Sequence, residues 1–183
     1  MTLVMGIDPS AKKIVIVAHH VEINTTQVII EHLYKTGSQT PESLSRALSL
    51  MLGVAAGDGQ TPENHIAYIE TPIIGRGGAS ATIKQAYVGG IIRACLAQQN
   101  YRIVDANPSK WRAGLGIKPN KTTEVKAATL EALNRLWPKI VWQVEHDEDA
   151  VDAAAICLYG QSEVAKAARF GSAYASQRGV SVK

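Results

Sequence analysis

The chain has 183 residues, 46% of them hydrophobic and 19% charged, which fits one compact domain with a real core and excludes a disordered or highly acidic chain. Its net charge of +3 hides an asymmetry: residues 1–70 carry 4 basic and 7 acidic groups, 71–139 carry 11 and 3, and 140–183 carry 4 and 6. A basic middle between acidic flanks points to a polyanionic partner for the middle and to a task for the flanks that needs negative charge.

In chain order, Leu3 to Ile7 is a short, wholly apolar run stopped by Asp8-Pro9, as expected of a central strand buried on both faces. Lys13 to Val21 and Gln27 to Leu33 are β-branched runs separated by Asn24-Thr25 and read as a hairpin beside it. Thr40-Pro41-Glu42 supplies a cap, a proline and an acid for a helix carrying Leu44, Leu48, Met51 and Leu52 at helical spacing and stopping near Gly53 to Gly59. Ile66 to Ile69 is another short strand, ended by Glu70-Thr71-Pro72 and followed by the loop Gly75-Arg76-Gly77-Gly78. A helix from about Ala79 to Gln99 follows, with small residues at Ala86, Gly89, Gly90 and Ala94 that would admit a close helix, one from a second subunit included.

Tyr101 to Val104 is a fifth strand, ending at Asp105, and Asn107 to Lys121 reads as a basic loop. Thr122 opens a helix through Trp137 closed by Pro138, and a last helix runs from Asp147 or Glu148 through Gly160. Residues 1–170 are expected to form the domain, and 171–183, poor in large apolar residues, a frayed tail. The order βββ-α-β-α-β-α-α describes an α/β architecture with a mixed five-stranded sheet flanked by helices. Cys95 and Cys157 sit in apolar surroundings without knuckle spacing and read as buried free thiols. No basic leader and no apolar run of about 18 residues is present, so the expectation is a cytosolic protein with no membrane partner.

Asp8 and Glu70 each follow a short apolar strand and precede a proline. Neighbouring strands in an open α/β sheet deliver their end residues to one edge, and two carboxylates meeting there raise each other's pKa unless a cation neutralises them. Asp149 and Asp152 lie on one face at the start of the last helix. Asp147 and Glu148 read as helix caps, whereas Asp152 lies a turn inside among Val151, Ala153 and Ile156, where an idle carboxylate is costly. Hard oxygen donors point to Mg²⁺ or Mn²⁺, and four acids can hold two such ions, the arrangement used for phosphodiester hydrolysis.

In order and spacing, Gly6-Ile7-Asp8-Pro9-Ser10, Ile69-Glu70, Gln85 to Gly90, Pro108-Ser-Lys-Trp-Arg112 with Lys121, and Asp149-Ala-Val-Asp152-Ala resemble the RuvC Holliday junction resolvases, with the Ser-Lys-Trp-Arg element closest to bacteriophage members. The resemblance spans residues 3–160. It implies an RNase H-like fold, a homodimer, and nicking of both strands of a four-way DNA junction with two Mg²⁺ or Mn²⁺ ions per site. The family's acidic tetrad falls on Asp8, Glu70, Asp149 and Asp152, and its basic DNA contacts fall near Lys110 or Arg112 and on Lys121. Ser10 stands where the family carries glycine, and Ile73 where many members carry a stacking aromatic.

Further DNA contacts are expected from Arg76 and Lys84 beside the glycine loop, from Lys118, and from Trp111, whose position between Lys110 and Arg112 suits base stacking as well as core packing. His19 and His20, adjacent in a strand, point to opposite faces and cannot share a metal, and His146 reads as a solvated loop residue. Two other classes compete. An actin-like ATPase also starts from a Gly-Ile-Asp strand but needs a second lobe, and a non-catalytic junction-binding protein has no need of four acids at strand and helix ends.

Overall fold

The computed structural model of the chain describes residues 2–9, 13–32, 41–56, 65–72, 78–118 and 122–177. The elements are β1 (Leu3–Pro9), β2 (Lys13–His20), β3 (Thr25–His32), α1 (Pro41–Ala56), β4 (Ile66–Glu70), α2 (Gly78–Gln98), β5 (Arg102–Ala106), α3 (Pro108–Gly114), α4 (Thr122–Leu136), α5 (Pro138–Val144) and α6 (Glu148–Gln177). The strands form one mixed sheet in the order β3-β2-β1-β4-β5: β1–β2 and β2–β3 run antiparallel, β1–β4 and β4–β5 parallel. Asn24, at φ 51, turns the hairpin between β2 and β3 in the left-handed region that asparagine tolerates.

Alternation along the strands divides the core in two. Leu3, Met5 and Ile7 of β1 pack with Ala67 and Ile69 of β4 against Leu48 and Leu52 of α1 and Ile92 and Leu96 of α2. Val4, Val15, Val17 and Tyr68 face the other way, against Trp111, Leu133 and the α6 run Ala153 to Cys157. Because Ile7 pairs with Ile69 and both enter the α1/α2 core, the residues that follow, Asp8 and Glu70, turn to the α6 face at one end of the sheet. Gly6 lets α6 come close enough to use them. A Cβ there would stand 2.1 Å from the Ala153 carbonyl oxygen and 2.3 Å from the Cys157 amide nitrogen.

Three stretches differ from expectation. Pro108–Gly114, expected as loop, is a helix, because the Asn107 side chain accepts from the Ser109 amide and Pro108 takes the first turn. Pro138 ends α4, as expected, but also opens a short second helix, α5, in which Ile140, Val141 and Val144 are buried. The last helix continues past Gly160 to Gln177, so 171–177, assigned to the frayed tail, belong to α6; 178–183 lie outside the described residues. Both cysteines are free and buried as expected. Among the described residues, no helix is long and apolar enough to cross a membrane.

Candidate active site

Four carboxylates meet where β1 and β4 end under the start of α6. Asp8 is 6% exposed and Glu70 12% in its side chain. Asp149 lies in the first turn of α6 and Asp152 one turn further in, with its Oδ1 buried and without a hydrogen-bond partner. Burial first, then the charges of Glu70, Asp149 and Asp152, hold the Asp8 carboxyl well above the usual carboxylate range, with Lys13 opposing them. Burial and the Asp152 charge push Glu70 up to about 7 against the pull of Arg112 and Trp111, and burial pushes Asp152 up to about 6 against Arg112 and Lys126. The cluster is therefore short of positive charge.

Side-chain partners spread the four. The Trp111 indole donates to Glu70 Oε1 at 3.3 Å, and Arg112 lies 4.0 Å from the same oxygen with its guanidinium 4.7 Å above the Trp111 ring. Lys13 reaches Asp149 Oδ2 at 3.1 Å and Asp147 Oδ1 at 2.5 Å. Asp147 caps α6 as expected, its Oδ1 accepting from the amides of Asp149 at 3.0 Å and Ala150 at 3.1 Å, while Glu148 pairs with Lys126. Among the described residues, no three His, Cys, Asp or Glu side chains stand close enough to hold one metal ion as they are. The donor set nevertheless suits a hard divalent cation: it is all carboxylate, starved of positive charge, and includes a buried oxygen with no partner.

Lys84 on α2, Lys110 on α3 and Lys118 just beyond α3 are exposed, and each belongs to a segment entered from the sheet end that holds the carboxylates. Arg112 is mostly buried behind Glu70, with its Nε unpartnered. Trp111 is fully buried, so it cannot stack on a base from where it sits; the α3 helix turns it inward onto Glu70. Ile73, Arg76 and Lys121 lie outside the described residues, as does Ser10. Asp105, the acid after the fifth strand, stays out of the cluster and pairs with Arg93 at 2.5 Å. His19 edges onto Trp137 at 5.5 Å, His20 is buried beside it in sequence, and His146 is exposed next to Glu145. Sequence reasoning missed Lys13; its place at the head of an apolar strand carried no signal, since its partners lie 134 and 136 positions away.

The fold is the RNase H-like one: a mixed five-stranded sheet with helices on both faces and acidic side chains at one sheet end. More particularly, it is the fold of RuvC from Thermus thermophilus. The structure of that protein matches with a TM-score of 0.63 at 17% identity over 93% of this chain and 97% of that one. Its complex with a Holliday junction substrate matches with a TM-score of 0.59 at 14% identity over 98% of both chains. No protein-family model matches the sequence, and no curated protein matches it.

Proposed function

We infer that this chain is a divalent-metal-dependent endonuclease that cuts branched DNA, four-way junctions above all, by paired nicks made by a homodimer. The observation that carries the reading is the gathering of Asp8, Glu70, Asp149 and Asp152 at one sheet end, Asp8 buried and the other three partly buried, their charges bearing on Asp8, with a partnerless Asp152 oxygen among them. Two Mg²⁺ or Mn²⁺ ions held there would activate a water for in-line attack on a phosphodiester and offset charge on the departing 3′ oxygen.

The chain's own residues supply the rest. Asp8, innermost and repelled by the other three, is the carboxylate best placed to be shared between two ions. Trp111 fixes the Glu70 carboxylate through its indole, and Arg112 stiffens the tryptophan by stacking on it. Lys84, Lys110 and Lys118 are free to meet phosphates around the acidic centre, so DNA is gripped by a basic rim and cut at an acidic core. RuvC of Thermus thermophilus, of the same fold, is described in complex with a Holliday junction substrate, which supports that choice among branched DNAs.

A symmetric junction needs two cuts and one chain provides one site, so the reading includes a dimer. Ile83 and Tyr87, 67% and 49% exposed, continue through exposed Gly90 and Ala94 along one face of α2, an apolar stripe free to meet its copy. The test is nicking of a synthetic four-way junction beside a linear duplex of the same sequence. Junction cleavage supports the reading, and equal cutting of both substrates leaves a nuclease that does not select branches.

A further inference from the structure

Lys13 opens β2, the strand beside β1, at the sheet end where Asp8 lies. Its side chain is 17% exposed, and its ammonium bridges Asp147 Oδ1 at 2.5 Å and Asp149 Oδ2 at 3.1 Å. The Asp147 oxygen is also the cap of α6, receiving the amides of Asp149 and Ala150. One cation therefore ties the second strand of the sheet to the first turn of the helix that carries two of the four carboxylates. It also relieves Asp8, buried among the negative charges of Glu70, Asp149 and Asp152.

We propose that Lys13 is a positioning residue that stands in for the divalent cation, its ammonium holding Asp149 against the Asp147 cap in the metal-free protein and releasing it when a cation is bound. This rests on reading the four carboxylates as a cation site. The physical argument is competition. An ammonium 3.1 Å from Asp149 and a divalent cation on the same carboxylate repel each other, so both cannot be held there at full strength. Without either, Asp8 and Asp149 lose the one cation among the described residues that bears on both, and Arg112 and Lys126 offset charge only at Glu70 and Asp152. The lysine thus keeps the site assembled while empty, at the cost of weaker cation binding.

Binding of Mn²⁺ to the full chain, followed by the electron paramagnetic resonance of the free ion, tests this alongside melting of the metal-free protein. Lys13→Met keeps the apolar stem without the charge, Lys13→Arg keeps the charge, and Asp152→Asn marks loss of the cation site. The methionine variant is expected to melt lower without metal, to bind Mn²⁺ roughly fivefold more tightly, and to regain its melting temperature when Mn²⁺ is added; the arginine variant is expected to behave as wild type. Lys13→Gln, which can still donate to Asp147, takes the place of methionine if that variant does not fold. A lysine of merely structural importance would lower the melting temperature and leave Mn²⁺ binding unchanged. Unchanged or weaker binding by Lys13→Met, with wild type binding Mn²⁺ and Asp152→Asn failing to, overturns the role of Lys13 and leaves the cation site intact. If wild type and Lys13→Met alike bind no Mn²⁺, the cation-site reading fails, and the proposal fails with it.

Discussion

Glu70 and Asp152 hold their protons to about pH 7 and about pH 6, whereas free carboxyls release theirs near pH 4. The unfolded chain therefore gains by ionising first. Stability from these two groups is fully present below about pH 4 and is lost as pH rises through 6 and 7, on the order of 3 kcal/mol for each. Metal-free protein is expected to melt at progressively lower temperature between pH 5 and pH 8, and Mn²⁺ to raise the melting temperature far more at pH 8 than at pH 5. A calorimetric scan across that range checks both; a Mn²⁺ effect independent of pH would contradict the assignment of these carboxylates. The placing of Asp8 and Glu70 at neighbouring strand ends, and of Asp149 and Asp152 on one face at the start of α6, was legible in the sequence from short apolar runs stopped by an acid and a proline and from helical spacing. Lys13 and the inward turn of Trp111 were not. A contact between residues 13 and 149 exists only once β2 and α6 are packed, and a tryptophan flanked by two cations looks alike whether it faces solvent or core.

At the scale of elements, the site depends on how tightly α6 lies on β1. Gly6 allows that closeness, and the Cys157 thiol, pushed up to about 12 by burial, reaches the Val4 carbonyl oxygen at 3.4 Å across the same contact. Gly6→Ala places a methyl against two backbone atoms that cannot move unless the helix shifts, so a loss of about 3 kcal/mol or more is expected in urea unfolding. A loss under 1 kcal/mol would mean that α6 sits further out than described. All five strands and the four long helices could be read from apolar alternation, helical spacing and prolines. The two short helices α3 and α5 could not, since seven residues carry too little periodicity and Asn107-Pro108 and Trp137-Pro138 read equally as loop or as helix start.

Over the whole molecule, the net charge of +3 divides into acids gathered at one sheet end and a basic middle segment whose Lys84, Lys110 and Lys118 are exposed. Junction binding is expected to weaken steeply with salt. The stripe Ile83–Tyr87–Gly90–Ala94 predicts that Tyr87→Glu converts a dimer to a monomer in light scattering, leaves the fold intact by circular dichroism, and abolishes paired nicking; a wild type that is monomeric at working concentration would remove the paired-cut mechanism. The central claim rests on Asp8 and is tested most directly by incubating a synthetic four-way junction with Mg²⁺ or Mn²⁺ and either wild type or Asp8→Asn. The account predicts symmetric nicks with wild type and none with Asp8→Asn, which still binds the junction and, relieved of a buried charge, melts no lower without metal. Equal cleavage by the two proteins would contradict it.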